Sequence, residues 1–350
     1  MIFRQLFDAT SSTFTYLLGN RAGGEALIID PVFDNVDRYI RLLDELDLRL
    51  VKALDTHVHA DHVTGLGALR DRTRCVTVMG RKSKVDVVSM RVEDGERIEV
   101  AELRLTTLYT PGHTDDSYCF LMDDRVFTGD TLLIRGTGRT DFQNGDPLVA
   151  YDSLFNKLLR LPDETVVYPG HDYNGNALST IGEERARNPR LQVASAEKYA
   201  AIMSGLDLDN PRQMDVAVPA NLSIAVPQGG PDMAQDSLST AEARARLDTD
   251  DAVFVDLREE GERIRDGVIP GSVYVPYVNL DQYIGKGGLL GALASGLGKE
   301  LILYCAFGER SVLALPAMRE AGLEGARHVR GGLDAWIKAG GPVDDASVES

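Results

Sequence analysis

The chain has 350 residues, of which 43% are hydrophobic and 26% are charged, and these values are ordinary for a folded protein with a large core. Its length favours two domains rather than one. The formal net charge of −17 argues against nucleic-acid binding, because phosphate-binding surfaces need clustered Lys and Arg.

The N-terminus and the cysteines predict a protein of a reducing compartment. Met1–Asp8 has no basic stretch followed by a long apolar core, so we expect no signal peptide and no membrane-spanning segment. The three cysteines, Cys75, Cys119 and Cys305, form no Cys-x-x-Cys pair and no disulfide framework. We therefore expect a cytoplasmic protein.

Short apolar and aromatic segments predict strands in the early part of the chain, with two helices among them. The predicted strands cover residues 1–7, 14–18, 26–29 and 50–54. Residues 36–46 predict a helix, because apolar side chains recur there at helical spacing between charged ones. A second, short helix is predicted at residues 63–70.

A histidine-rich loop follows the strand that ends at Leu54. The run His57-Val58-His59-Ala60-Asp61-His62 places three histidines and one carboxylate within six residues. Imidazole and carboxylate are ligands that divalent zinc, iron and manganese accept. The sequence therefore predicts a metal site at the end of this strand.

Three more candidate ligands each follow a later predicted strand: His113, Asp130 and His171. The later strands are predicted at residues 76–78, 98–100, 103–108, 125–130 and 166–168. Five of the six histidines thus lie in such settings, and only His328 does not. Because loops at one edge of a sheet bring their side chains together, we expect these ligands to converge.

A change of composition predicts a domain boundary. Residues 227–232 contain two prolines and two glycines and cannot continue a helix or a strand, so residues 226–237 are a predicted linker. We expect one domain at residues 1–225 and a second at 238–350. In the second domain, predicted strands and helices alternate at residues 252–255, 301–304, 311–321 and 333–339.

The order of the candidate ligands resembles the metallo-β-lactamase superfamily over residues 1–225. This resemblance implies an αββα sandwich, whereas periodicity by itself indicates only mixed α and β structure. It leaves two chemistries open. A dinuclear zinc hydrolase would use all seven candidate residues, and a mononuclear oxygenase needs two histidines and one carboxylate.

The segment after Asp130 resembles the persulfide dioxygenases, also called sulfur dioxygenases. Their Gly-Arg-Thr-Asp-Phe-Gln run is present at Gly138–Gln143. Three further segments also match this family, and they are Pro169–Tyr173, Asn210–Arg212 and Val218–Leu222. The resemblance implies one mononuclear, non-haem Fe(II) per chain, with the ligands His57, His113 and Asp130. The residues left to orient these ligands, or to form a second metal site, are His59, Asp61, His62 and His171.

Two residues in these motifs are candidates for binding glutathione, which the resemblance implies as co-substrate. Arg139 lies in the Gly-Arg-Thr-Asp-Phe-Gln run, and Tyr173 lies two residues after His171. Arg139 could instead form a structural pair with Asp141, and Tyr173 could be packed against the core. The sequence leaves both alternatives open.

Residues 238–345 resemble the rhodanese sulfurtransferases, which implies an α/β domain with a parallel sheet. The matching motifs are Asp256–Arg258, Gly267–Ser272, Leu301–Ser311 and Gly331–Trp336. A cysteine between a strand and a helix faces backbone N–H groups and the positive end of the helix, which favours the thiolate. The resemblance implies that Cys305 carries sulfur as a persulfide and that Arg310 helps to bind the substrate.

The length of the cysteine loop distinguishes two reactions. Cys305 and Arg310 are the ends of a Cys-x4-Arg segment, the six-residue form that holds a sulfur atom, whereas related phosphatases have one residue more. Sulfur transfer is therefore favoured over phosphatase chemistry. A rhodanese-like module that only binds is the alternative.

Together the two resemblances predict a bifunctional enzyme of sulfur metabolism, similar to bacterial persulfide dioxygenase–rhodanese fusions. The implied reactions are Fe(II)-dependent oxidation of glutathione persulfide by dioxygen to sulfite and glutathione, and sulfur transfer between thiosulfate and glutathione through Cys305. The implied partners are these small molecules, with no nucleic acid and no membrane, and a homo-oligomer is left open. The alternative is a dinuclear zinc thioester hydrolase of the glyoxalase II type with a non-catalytic rhodanese-like module.

Overall fold

The computed structural model describes residues 1–206, 208–209, 211, 213–224, 236–247, 249–285 and 287–346. The chain divides into two compact units, Met1–Asp86 with Met90–Ile224, and Val87–Ser89 with Ala225–Ser350. Only the last two residues of the predicted linker at 226–237 are described, and Asn210 and Arg212 of the family match also lie outside the described residues. The predicted domain limits therefore stay a prediction.

In the first unit, the described strands form two sheets of six strands each. The first sheet contains β1 (Ile2–Asp8), β2 (Thr13–Gly19), β3 (Glu25–Ile29), β4 (Arg49–Leu54), β5 (Val76–Gly80) and β6 (Met90–Val92), side by side in this order. The second contains β7 (Arg97–Val100), β8 (Leu103–Tyr109), β9 (Tyr118–Leu121), β10 (Arg125–Gly129), β11 (Val166–Pro169) and β12 (Ser179–Thr180), also in order.

Helices cover the outer faces of this unit. The described helices are α1 (Val36–Glu45), α2 (Leu66–Thr73), α3 (Pro147–Asp152), α4 (Ile181–Arg187), α5 (Ala196–Ser204) and α6 (Met214–Leu222). Val126 and Val167 of the second sheet pack in one buried cluster with Ala150 of α3, Ile181 of α4 and Tyr199 of α5. Burying this apolar layer stabilises the fold by roughly 25 cal/mol for each Å² removed from water.

The two sheets pack against each other through aromatic side chains. Phe3 and Tyr16 of the first sheet contact Phe127 and Tyr168 of the second, with ring centroids 4.9–6.3 Å apart. Strands covered on both sides are apolar along their length, and β2 is buried at every residue. The αββα sandwich of the metallo-β-lactamase fold is thereby confirmed.

Helix α2 begins later than the sequence predicts. It starts at Leu66 and not at residue 63, because the preceding residues pair with an extended segment. Thr64 forms a bridge with Val32, and the Phe33 N–H donates to the Val63 carbonyl at 2.8 Å. These hydrogen bonds use backbone groups that a helical turn would need.

Strand direction brings the candidate ligands to one edge. Strands β8, β10 and β11 run in the same direction, since β9 is antiparallel to both β8 and β10, while β10 and β11 are parallel. Their carboxyl ends lead to His113, Asp130 and His171 respectively. The loop after β4 contributes the remaining histidines from the first sheet.

The second unit contains a five-stranded sheet within the described part of the chain. Its parallel-paired strands, in spatial order, are β13 (Ser237–Leu238), β17 (Arg327–Val329), β16 (Glu300–Tyr304), β14 (Ala252–Asp256) and β15 (Val273–Tyr274). Its helices are α7 (Thr240–Arg244), α8 (Glu260–Asp266), α9 (Leu280–Ile284), α10 (Leu289–Gly291), α11 (Glu309–Glu320) and α12 (Gly332–Lys338). The predicted rhodanese-like α/β fold with a parallel sheet is confirmed.

The core of this unit contains Trp336, which is the single tryptophan of the chain. Its ring lies 5.7 Å from that of Phe254, and its indole N–H donates to the Pro342 carbonyl at 2.8 Å. Cys305 follows directly on the central strand β16 and precedes α11. Among the described residues, no helix is long and apolar enough to cross a membrane.

Candidate active sites

His57, His113 and Asp130 converge at the edge of the first unit. Each offers one ligand atom, and these atoms lie within 4.8 Å of one another. His113 Nε2 is 3.5 Å from Asp130 Oδ2. Because ligand bonds of about 2.1 Å place two ligand atoms about 3–3.5 Å apart, one cation between them fits this spacing.

The ring of His57 is held by a hydrogen-bonded series that starts at Asp30. The Thr56 hydroxyl donates to Asp30 Oδ2 at 3.0 Å, so its oxygen accepts a hydrogen bond from the N–H at His57 Nδ1, also at 3.0 Å. The Thr56 N–H donates to the other oxygen of Asp30 at 2.7 Å. This arrangement protonates Nδ1 and leaves the lone pair of Nε2 for a ligand.

The backbone orients the other two histidines that flank Asp130. His113 Nδ1 donates to the Arg139 carbonyl at 2.7 Å, and His171 Nδ1 donates to the Ser12 carbonyl at 3.0 Å. His171 Nε2 in turn lies 3.5 Å from Asp130 Oδ1. In His113 the unprotonated nitrogen, Nε2, therefore lies on the side of the carboxylate.

A second group of donors lies beside the first: His59, Asp61 and His62 also offer ligand atoms within 4.8 Å of one another. His59 Nε2 bonds to Asp30 at 3.2 Å, and His62 Nδ1 bonds to Asp61 at 2.9 Å. The opposite nitrogens, His59 Nδ1 and His62 Nε2, are buried and have no hydrogen-bond partner among the described residues. Buried polar atoms rarely stay unpaired, so these nitrogens fit cation or water ligands.

The electrostatics of the histidines suit a cation. Burial first, and then the neighbouring His59 and His113, lower the pKa of His57 well below its usual value, so this imidazole is neutral and able to coordinate. Burial opposes a charge on His171 too, but Asp130 and Asp61 outweigh it and raise its pKa to about 9. The donor set of imidazole and carboxylate thus fits a divalent metal.

A close backbone approach fixes the position of His113. A Cβ atom at Gly138 would overlap the Asp130 carbonyl oxygen and lie 2.8 Å from both Cγ and Nδ1 of His113. Real Cβ atoms do not approach other atoms so closely. Only glycine therefore allows this loop to pass the two candidate ligands.

Two supporting residues were not predicted from the sequence. Asp30 directly follows β3 and anchors both Thr56 and His59. Asn221, in α6, donates to the carbonyls of His59 and His62 at 2.9 Å and holds the histidine loop from a distant part of the chain. The one feature of the sequence that pointed to Asn221 is its place in Val218–Leu222, a segment that matches the family.

A cleft of about 780 Å³ opens over the candidate metal site, lined by His57, Asp130, Arg139 and Tyr173 among others. Tyr173 is 70% exposed and its ring stacks on His171 with a centroid distance of 5.9 Å, so it is not packed in the core. Arg139 forms two hydrogen bonds with Asp141, at 2.7 and 2.6 Å, which matches the structural pair considered above. Its position in the cleft wall is nevertheless compatible with contact to a ligand.

The Cys305 loop has the form of an anion-binding turn. The Gly308 N–H donates to Cys305 Sγ at 3.1 Å, and Gly308 has a φ of +94°, which favours glycine. The Leu333 and Asp334 N–H groups bond to the Cys305 and Ala306 carbonyls at 2.8 and 3.0 Å. The loop thereby points a backbone N–H at the sulfur and is fixed by the start of α12.

Arg310 is committed to a buried ion pair. Its two terminal nitrogens each donate to one oxygen of Glu262 at 2.7 Å, and both side chains are buried. Burial opposes the charge on Arg310, but Glu262 outweighs it and raises the pKa of the guanidinium above its usual value. Nε of Arg310 is left without a hydrogen-bond partner among the described residues, and the predicted role of Arg310 in substrate binding stays a prediction.

Comparison with known proteins identifies relatives of both units. The model of the metallo-beta-lactamase superfamily matches residues 9–86 and 82–171, and that of the rhodanese-like domain matches residues 239–339. The mitochondrial persulfide dioxygenase ETHE1 of Homo sapiens is 45% identical over 229 residues, an alignment that covers 65% of this chain and 89% of the relative.

Two solved structures are also similar. The crystal structure of ETHE1 from Myxococcus xanthus is 52% identical, with a TM-score of 0.62, and the match covers 63% of this chain and 98% of that one. A metallo-beta-lactamase from Staphylococcus aureus matches 95% of this chain and 98% of its own, with a TM-score of 0.60 and 22% identity. At that identity the second match indicates the fold alone.

Proposed function

The chain belongs to the persulfide dioxygenase family and carries a rhodanese-like domain, and from this premise we propose a coupled enzyme of sulfur oxidation. Its first unit oxidises glutathione persulfide with dioxygen to sulfite and glutathione. Its second unit transfers sulfur from thiosulfate to glutathione and so makes the persulfide. The single observation that carries the first assignment is the convergence of His57, His113 and Asp130 under the cleft.

The proposed metal is one Fe(II), held by His57, His113 and Asp130. Two histidines and one carboxylate are the donor set of non-haem Fe(II) oxygenases. Iron, when bound, would supply the redox chemistry with dioxygen that the amino-acid side chains lack.

The protein residues hold and orient the participants of this reaction. Asp30, through Thr56, keeps His57 in the tautomer that coordinates, and the Arg139 carbonyl does the same for His113. A cleft of about 780 Å³ is large enough for a tripeptide persulfide, and the exposed ring of Tyr173 offers a surface for its apolar parts. We assign glutathione contacts to Arg139 and Tyr173.

The overall oxidation balances with water as a reactant. Glutathione persulfide, dioxygen and water give glutathione, sulfite and two protons. The outer sulfur is oxidised and dioxygen is reduced, while the inner sulfur leaves as the glutathione thiol. No protein nucleophile takes part, which agrees with the burial of Cys75 and Cys119 and with the pKa of Cys119, which burial raises to about 12.

The proposed reaction of the second unit uses Cys305 as nucleophile. The Cys305 thiolate attacks the outer sulfur of thiosulfate, sulfite leaves, and a persulfide remains on the protein. Glutathione thiolate then takes the outer sulfur and restores the Cys305 thiolate. The Gly308 N–H at 3.1 Å from the sulfur supports this anionic cycle.

The test of the coupled function is the stoichiometry with purified Fe(II)-loaded protein. With preformed glutathione persulfide, we expect dioxygen consumed and sulfite formed in equal amounts. In a separate assay with thiosulfate and glutathione as the only sulfur compounds, we also expect dioxygen uptake, because the second unit would make the persulfide. Hydrolysis of a glutathione thioester without dioxygen uptake would instead support the glyoxalase II-type alternative, for which the second donor group is the favouring observation.

A further inference from the structure

A series of polar side chains leads away from the sulfur of Cys305. Ser311 Oγ lies 3.9 Å from Cys305 Sγ, within reach of a hydrogen bond to sulfur. The same oxygen lies 3.2 Å from His328 Nδ1, and His328 Nε2 lies 2.7 Å from Ser237 Oγ. All but Ser237 are buried, so water does not replace these contacts.

The sheet builds this series from neighbouring elements. Cys305 follows β16, Ser311 lies in the first turn of α11, His328 lies in β17, and Ser237 lies in β13. Strands β16, β17 and β13 are adjacent, and Ser237 and His328 are paired in register. A rigid sheet therefore fixes the distances, which is the requirement for a group that positions another.

The Ser311 hydroxyl has one proton and three possible acceptors. It donates to the Gly308 carbonyl at 2.9 Å, and it faces Cys305 Sγ and His328 Nδ1 as well. If His328 Nδ1 accepted this proton, none would remain for Gly308 or Cys305. If His328 Nδ1 carries the proton and donates it to Ser311, the hydroxyl proton is free to turn between the carbonyl and the sulfur.

His328 is suited to this second arrangement. Burial first, and then Arg330, lower its pKa to about 4, while Asp236 acts in the opposite direction. The imidazole is therefore neutral at physiological pH and carries one N–H. Because the Ser311 hydroxyl donates to the Gly308 carbonyl, its oxygen accepts from His328 Nδ1, and Nε2 is then the acceptor for the Ser237 hydroxyl.

A neutral hydrogen-bond donor can add to the stabilisation of the Cys305 thiolate beyond what the charged groups around it provide. Arg310 interacts electrostatically with Cys305, but the carboxylates of Glu262 and Glu259 also interact with it and partly balance its positive charge. Direct donors to the sulfur include the Gly308 N–H and, on rotation, the Ser311 hydroxyl. Charge-assisted hydrogen bonds of this kind are roughly twice as strong as neutral ones.

We propose that His328 is a positioning residue for sulfur transfer, acting through Ser311, whose hydroxyl it keeps available to donate to the sulfur of Cys305. The inference rests on the proposed sulfurtransferase function. When glutathione thiolate bonds to the outer sulfur of the Cys305 persulfide, the S–S bond to the protein breaks and its electron pair stays on Sγ. The Ser311 proton then turns from the Gly308 carbonyl to this sulfur and stabilises the leaving thiolate.

The test compares two substitutions of the histidine. His328→Asn keeps an N–H donor near the position of Nδ1, and His328→Leu removes it. Modification of Cys305 by methyl methanethiosulfonate is followed against pH by mass spectrometry of the Cys305 peptide. We expect His328→Leu to shift the pH of half-maximal rate upward by about one unit, which corresponds to about tenfold less thiolate, and His328→Asn to stay near the wild type.

Substitutions of Ser311 provide a second test by the same measurement, and this test remains available if His328→Leu does not fold. Ser311→Ala should give the same upward shift, whereas Ser311→Thr, which keeps a hydroxyl, should keep the wild-type profile. The double variant Ser311→Ala with His328→Leu should shift no further than either single variant. Trp336 fluorescence checks the fold of each variant. An unchanged profile in His328→Leu or Ser311→Ala, or equal shifts in His328→Asn and His328→Leu, would overturn the proposal.

A sulfur-loading measurement separates this inference from the proposed function. Wild-type protein incubated with thiosulfate should gain the mass of one sulfur atom on the Cys305 peptide. If it gains none, the sulfurtransferase proposal fails, and the modification profile still decides the role of His328 at the thiolate. If wild type and His328→Leu both load, we expect release of sulfur to glutathione to be about tenfold slower in the variant, and equal release rates would contradict the inference.

Discussion

His113 and Asp130 face each other at the centre of the candidate metal site, with His113 Nε2 3.5 Å from Asp130 Oδ2. The opposite nitrogen of the same ring donates to the Arg139 carbonyl at 2.7 Å. The hydrogen bond to the Arg139 carbonyl fixes the ring, and rotation of the imidazole would break this bond and turn Nε2 away from Asp130. Its position depends on the backbone of residues 138–139, and this dependence leads to the first prediction.

Gly138→Ala should weaken metal binding although no ligand is changed. The new Cβ would lie 2.8 Å from the His113 ring and overlap the Asp130 carbonyl oxygen, so both candidate ligands must move. We expect metal affinity to fall by about 10- to 100-fold, measured by competition with a chelator. Gly136→Ala is the matched control, because its Cβ would make only an ordinary contact of 3.8 Å with Leu133.

Tyr173→Ala should impair substrate binding and leave the metal in place. The ring is 70% exposed at the cleft and stacks on His171, which places it to contact a peptide. We expect the KM for glutathione persulfide to rise about three- to tenfold, the scale of one lost aromatic contact, with unchanged iron content. Leu178→Ala, at an exposed residue outside the cleft lining, is the control and should behave as wild type.

Cys305→Ser should separate the two activities. We expect loss of dioxygen uptake driven by thiosulfate and glutathione, because the hydroxyl cannot carry the transferred sulfur. Oxidation of preformed glutathione persulfide should continue at the wild-type rate. Equal loss of both activities would contradict independent chemistry at the two sites, and no loss of either would favour a module that only binds. Cys75→Ser is the control, since that thiol is buried and has no role in the proposed reactions.

Glu262→Gln should destabilise the second unit at neutral pH by about 3–5 kcal/mol, because it leaves the buried charge of Arg310 without its partner. Unfolding in urea can be followed by the fluorescence of Trp336, the single tryptophan, which lies in this unit. Glu324→Gln is the control at an exposed position and should change stability by less than about 0.5 kcal/mol.

The difference in stability between wild type and Glu262→Gln should depend on pH with a defined sign. Burial raises the pKa of Glu262, but Arg310 outweighs burial and holds this pKa below its ordinary value of 4.5. A depressed folded-state pKa contributes stability that is present above the unfolded value and is lost as the pH falls through the folded one. The difference between wild type and Glu262→Gln should therefore be constant near pH 7 and shrink below about pH 4.5. A difference that grows in acid would contradict the account.

The strand-end positions of the candidate ligands were predictable because each follows an apolar strand directly in the sequence. His113 and Asp130 converge for this reason, since β8 and β10 run in the same direction and bring their carboxyl ends to one edge. The supporting contacts were not predictable. Asp30 reaches Thr56 and His59 from the end of the neighbouring strand β3, and Asn221 reaches the same loop from α6. No local sequence pattern encodes either contact.

The start of α2 and the contacts around Cys305 could not be predicted from the local sequence either. The apolar pattern from Val63 continues smoothly into the helix, but pairing of Thr64 with Val32 delays the first turn. His328 lies outside the motifs that suggested a function, and its contact with Ser311 depends on the order of the strands. Local periodicity predicts elements, whereas side chains that act on one another across elements need the packed structure.

Metal analysis of anaerobically purified protein, combined with an oxygen electrode, tests the central claim most directly. The account predicts about one iron atom per chain, dioxygen uptake with glutathione persulfide, and loss of both iron and uptake in Asp130→Asn. Asp141→Asn, at an exposed carboxylate nearby, should keep its iron. Two zinc ions per chain, with thioester hydrolysis and no dioxygen uptake, would contradict it.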